Sequence, residues 1–294
     1  MHNLLDDLRR APTPLALHSR NTLVAEVKEA QVALMRAALG RRVNEEVLAI
    51  PELRRYALWL EDVAVNDITG SGEQEDESLY SLAATLYEFT GSLVDGGVGG
   101  TIYRPPLNDL LRSAILSSFS PYQAHASLVG RRVRERLEAS ASTSSEEQCH
   151  LLVASSIAAF VGRDFHRAFS RSARLRPAMF QAAEELRNRG ATNADYLALD
   201  RAVALGLACG RAAVGMLAGE SDLLHSAIVR FAEIKAAASR SEDADRYWLA
   251  DRLQRVAQQM ETASIARLLE RAGLPRRYRD MLARSGFYEF WGHN

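Results

Sequence analysis

Apolar residues recur along most of this 294-residue chain every three or four positions, and nowhere alternate over the length of a strand. That spacing places them on one face of an α-helix. The residues between them are mainly Ala, Leu, Arg and Glu, all strong helix formers, while β-branched residues are scarce. The pattern predicts an all-α protein with no sheet. With 47% hydrophobic and 25% charged residues, the chain has ordinary globular composition and enough length for one large domain or two smaller ones.

The stripes delimit helices. Leu23, Val27, Ala30, Leu34 and Ala38 mark one over about 22–39, stopped by Gly40. Pro51 opens a second, carrying Leu53, Tyr56, Ala57, Leu60 and Val63. The acidic run 66–76 reads as a loop, and a helix from Glu77 to Thr90 follows, with Gly91 as its stop. Glycines crowd the segment GSLVDGGVGGTIYR, the clearest break in the chain. We therefore expect an N-terminal helical subdomain at 1–92, a linker at 93–104 and a helical-hairpin domain at 105–294. In the latter, helices are expected to start at Pro105 and Pro121. Others follow at about 146–160, 163–172, 177–189, 194–218, 221–239, 242–260, 262–272 and 275–283. Short loops between them imply antiparallel neighbours in irregular, tetratricopeptide-like hairpins, in a bundle or solenoid. No 34-residue period holds, so a regular solenoid is not expected.

Charge and motif content exclude several functions. A net charge of −1 supplies no global field to attract phosphate. Two cysteines, Cys149 and Cys209, suit a reducing cytoplasm rather than a disulfide scaffold. Cys209 sits on an alanine-rich helix and is expected in the core, whereas Cys149 near a helix start is positioned for a lowered pKa. No uninterrupted apolar stretch approaches about 20 residues and no leader-like segment begins the chain, so we expect a cytoplasmic protein without a membrane partner. Neither lysine, Lys28 or Lys235, follows a glycine. The segment DGGVGG therefore cannot serve as a phosphate-binding P-loop, and no nucleotide cofactor is expected. No metal site is expected either. Cys149, His150 and His166 lack the spacing of zinc ligands, Asp62, Asn66 and Asp67 lack that of an acidic metal-binding helix motif, and Glu73, Glu75, Asp76 and Glu77 read as a solvated acidic loop. No GxSxG elbow or paired nucleophile and base marks a catalytic residue.

Two features carry functional information. Arginines cluster at Arg131, Arg132, Arg134 and Arg136, again at Arg163, Arg167, Arg171, Arg174 and Arg176 beside His166, and at Arg276, Arg277 and Arg279. They read either as partners of glutamates on neighbouring helices or as a phosphate-tracking face. On the second reading Arg131, Arg132, Arg134, Arg163, Arg167 and Arg171 are the candidate DNA contacts. The other feature is the aromatic end, where Phe287, Tyr288, Phe290 and Trp291 need burial or a partner.

The stretches ESLYSLAATLYEFTGS (77–92), LNDLLRSAILSSFSPYQAHASLVGRRV (107–133) and SSIAAFVGRDFHRAFS (155–170), followed by YEFWG (288–292), resemble the helical region before the motor of large bacterial DEAD/DEAH-type helicases, many of them anti-phage defence proteins. In that family the region ends in a motif like Glu-Leu-Trp-Pro-x-Gln; here Gly292 stands where proline is expected. The resemblance implies a non-catalytic scaffold or regulatory module. Its partners would be a helicase motor domain or subunit, DNA, or another defence-system subunit, with Phe287, Tyr288, Phe290 and Trp291 packing at the motor junction. It carries over no catalytic residue. The alternatives are a stand-alone helical adaptor that binds a partner protein, and a helical enzyme with a site around Glu73–Glu77 or His150 and His166.

Overall fold

The computed structural model describes residues 54, 57, 58, 60, 61, 77–92, 100–104, 106–119, 123–140, 142 and 144–271. They are mostly helical, with no strand among them: α1 (Glu77–Ser92), α2 (Leu107–Ser117), α3 (Gln123–Ala139), α4 (Ser145–Val161), α5 (Phe165–Ala173), α6 (Leu175–Asn188), α7 (Asn193–Ala218), α8 (Ser221–Arg240) and α9 (Ala244–Arg271). The helices expected at 22–39 and 275–283, and the acidic loop at 66–76, lie outside the described residues.

Local chemistry explains where helices begin. Ser144 Oγ accepts the Glu147 N–H at 3.1 Å and so caps α4. Asp164 Oδ1 does the same for the Arg167 N–H at the head of α5, at 3.3 Å. Ahead of α7, Gly190 turns the chain at φ 69°. The Asp195 carboxylate then accepts both the N–H and the hydroxyl of Thr192, each at 2.8 Å, which holds its pKa below the usual carboxylate range. Gly219, left-handed at φ 70°, ends α7 and lets α8 fold straight back on it.

Packing follows the expected stripes. Ala57 and Leu60, Ala83, Leu86 and Tyr87, and Leu107, Leu110, Leu111, Ala114 and Ile115 are all buried. One apolar core runs from Ala57 to Met260, and α1 packs closely on α2 across the glycine-rich stretch expected to separate two units. The helix α7 occupies the middle. It packs on α4, α5, α6 and α8 and touches α9, which departs from the nearest-neighbour stacking of a solenoid.

Three sequence expectations are corrected. Gly91 does not stop α1, which continues to Ser92. A Cβ at Gly91 would lie 2.8 Å from Leu110 Cγ, so the glycine is there to let α1 and α2 approach. The break expected near 261 does not occur, because Thr262, Ala263 and Ser264 are all compatible with a helix, and α9 runs for 28 residues. Finally, α7 is long and apolar enough to span a membrane by length and composition. Charged residues interrupt its apolar run without raising their number above two in an 18-residue window, which counting uninterrupted apolar residues overlooks. In the structure 56% of that window is buried, matching its central position.

A second glycine sets the closest helix crossing. A Cβ on Gly210 of α7 would sit 1.9 Å from Ser172 Oγ and 2.3 Å from Ser172 Cβ on α5. In an exposed helix Gly→Ala gains about 1 kcal/mol, but here overpacking reverses the sign. Gly210→Ala is expected to lower stability by about 1–3 kcal/mol, read by urea denaturation. Adding Ser172→Gly should recover part of the deficit.

Candidate functional site

The arginines of α3 and α5 meet around two carboxylates. Val129, Val133 and Leu137 bury one side of α3, which carries the largely buried Arg134 to the turn between α4 and α5. There Arg134 Nη1 reaches Asp164 Oδ2 at 2.9 Å, and Arg167 Nε lies 3.9 Å from the same oxygen. Glu138, near the end of α3, accepts from Arg171 Nη2 at 2.7 Å, with Arg167 Nη1 at 3.9 Å. Arg134, Arg167 and Arg171 thus share Asp164 and Glu138. Beside them Arg163 is exposed, at a left-handed φ of 62°, and makes no ion pair with any described residue.

The other two candidates point elsewhere. Arg132 Nη2 reaches back to Glu88 of α1 at 2.9 Å, and Arg131 Nε lies 4.0 Å from Glu135 one turn along α3. Five of the six candidate DNA contacts therefore have acidic neighbours, four of them on another element or turn. Apart from that of the largely buried Arg134, these are solvent-accessible pairs worth about 0–1 kcal/mol, so they leave the guanidiniums of Arg131, Arg132, Arg167 and Arg171 free to exchange partners. Phe287, Tyr288, Phe290 and Trp291, with Arg276, Arg277 and Arg279, lie outside the described residues.

A second assembly was not anticipated from the sequence. Every residue of α2 is buried, including Asn108, Asp109, Arg112, Ser113 and Ser117. Each charged group therefore needs partners inside the protein. Arg112 donates from Nε to Asn108 Oδ1 at 2.8 Å, and its two other nitrogens lie 3.4 Å from Glu61 Oε2 and 3.2 Å from Asp245 Oδ1. Its guanidinium lies 4.2 Å from the centroid of the Trp248 ring. Glu61 also accepts from Trp248 Nε1 and, at 3.4 Å, from Arg252 Nη2. Burial pushes the Glu61 carboxyl upward, opposed by Arg112, Trp248 and Arg252. Asp109, with Arg54 Nε at 2.6 Å and Thr90 Oγ1 at 2.9 Å, is likewise pushed up by burial. The available signal was an arginine set within an apolar stripe, Arg112 in LNDLLRSAIL and Arg252 in WLADRL.

Of the remaining candidates, Cys149, His150 and Cys209 are buried. Cys209 is buried as expected, and burial raises its pKa. The lowered pKa expected for Cys149 is corrected: burial, with Glu146 nearby, pushes its thiol up to about 11. His166 is exposed, whereas His150 is 1% exposed and neither ring nitrogen has a hydrogen-bond partner. Among the described residues no group of three or more His, Cys, Asp or Glu is arranged to hold a metal.

Two outcomes follow. Glu61→Leu strips two buried guanidiniums and an indole of one acceptor, and is expected to cost about 3–5 kcal/mol in urea denaturation. Glu61→Leu combined with Arg112→Met and Arg252→Met should restore most of that. For His150, burial lowers the pKa from 6.5 to about 4. Between those values the unfolded chain binds a proton that the folded one does not. Its contribution is therefore lost as pH falls through that window, by about 3 kcal/mol in total. His150→Leu should flatten the stability profile by that amount between pH 7 and pH 4 relative to the unsubstituted protein; parallel profiles would exclude a buried neutral ring.

Family models, curated proteins and solved structures were compared with the chain, and none matches it.

Proposed function

We propose that the chain is a non-catalytic helical scaffold of a helicase-type anti-phage defence protein. On this reading its irregular tetratricopeptide-like hairpins contact the motor through Phe287, Tyr288, Phe290 and Trp291, and the arginine side of α3–α5 contacts DNA.

One observation carries the DNA contact. Around the α4–α5 turn Arg134, Arg167 and Arg171 share two carboxylates, Asp164 and Glu138, and Arg163 beside them is exposed without an ion pair among the described residues. In a chain of net charge −1 that is a local cationic excess. A phosphate backbone would take up the excess while Arg134, largely buried, keeps the turn in place. The close packing of α1 on α2, α7 on α8 and α8 on α9 supports the hairpin part of the reading.

The test is binding of fluorescein-labelled duplex DNA, followed by anisotropy across a salt series. Arg163→Gln, Arg167→Gln and Arg171→Gln are combined; glutamine avoids setting a new carboxylate against Glu138. The expected result is weaker binding and a log–log salt slope shallower by about 0.9 for each phosphate that is no longer neutralised. Absence of binding at about 50 mM salt, or an unchanged slope, would overturn the DNA role.

A further inference from the structure

From Arg163 to Ala183 the chain carries Arg163, Arg167, Arg171, Arg174 and Arg176, with Asp164 as the lone acidic residue. Arg174 and Arg176 are exposed and make no ion pair among the described residues. Arg174 is the junction residue between α5 and α6 and Arg176 lies in the first turn of α6.

The same segment exposes two phenylalanines. Leu175, Ala178, Ala182 and Leu186 form the buried side of α6. Arg176 and Phe180 project from the opposite side, four residues and therefore one turn apart. Phe180 is 69% exposed and Phe169, on α5, 48% exposed. Packing among the described residues covers neither ring fully.

We infer that the α5–α6 ridge binds single-stranded nucleic acid, its arginines holding phosphates and Phe180 and Phe169 stacking on bases. The inference rests on the DNA reading above and names the form of the ligand. A nucleotide chain offers one anion and one flat apolar face per unit, matching Arg176 and Phe180 one helical turn apart, with Arg174 and Phe169 nearby in sequence. A duplex keeps its base faces stacked on one another, so a ring standing out from a convex helix finds no partner there. An acidic peptide would satisfy the arginines but supplies no repeating flat face for the rings.

The experiment uses the full chain with a labelled oligo-dT of on the order of 20 nucleotides and a labelled duplex of equal length. Phe180→Ala, at an exposed position, is expected to leave the melting temperature unchanged and to weaken oligo-dT binding roughly tenfold while sparing the duplex. Phe169→Ala should act in the same direction. Arg174→Gln with Arg176→Gln should weaken oligo-dT binding and make its salt slope shallower by about 0.7 for each phosphate released. Unchanged oligo-dT affinity in Phe180→Ala, or an equal weakening on both probes, overturns the inference while leaving the duplex reading intact. Absence of binding to either probe overturns both. Binding of labelled poly-glutamate but not of oligo-dT would assign the ridge to an acidic protein partner and overturn the inference.

Discussion

Arg112 stands in a helix that has no solvent-facing side. An ion of that size in a low-dielectric interior is tolerated only when its charge and its donors are met, and α2 cannot meet them alone. Asn108 supplies one acceptor from the same helix. The others come from Glu61, far upstream, and from Asp245 and the Trp248 ring at the head of α9. Segments more than a hundred residues apart are thereby tied to one guanidinium. Arg252 repeats the arrangement on the other Glu61 oxygen, with its guanidinium 5.9 Å from both the Tyr80 and the Trp248 rings. Hydrophobic burial supplies most of the free energy that holds these helices together, while the shared carboxylate fixes which residues of α9 face α2.

The other organising constraint is the closeness that glycine permits. The helix α7 packs on α4, α5, α6 and α8, more neighbours than large side chains all round would allow. Gly206 lies against Leu175 and Val153, and Gly210 against Ser172. The apolar character that gives α7 the length and composition of a membrane span is the same character that suits the middle of a bundle. Composition cannot separate those two environments; the neighbours do.

At the surface the balance of charge differs. Arg134, Arg167 and Arg171 share two carboxylates, whereas Arg163, Arg174 and Arg176 stand exposed without ion pairs among the described residues. Of the two readings the sequence left open for its arginine clusters, pairing with acidic neighbours describes Arg131, Arg132, Arg134, Arg167 and Arg171, and a phosphate-tracking face stays a proposal. Paired arginines order the α3–α5 corner, and the unpaired ones stand before α5, at Arg163, and after it, at Arg174 and Arg176.

Periodicity alone determined the helical class, most helix boundaries after residue 144, and the buried positions of Leu86, Leu111 and Cys209, because a 3.6-residue repeat of apolar side chains has one low-energy solution. It also located the arginine clusters as clusters. It could not determine that Gly91 is a crossing point rather than a stop, since both roles need only the missing Cβ. Nor could it show that Cys149 is buried, or that Glu61, Arg112, Trp248 and Arg252 meet. Sequence spacing specifies which residues share a face of one helix, but not which face of another helix it meets. That pairing is a long-range property, set by the joint packing of α2, α7 and α9, and only the tertiary structure decided it.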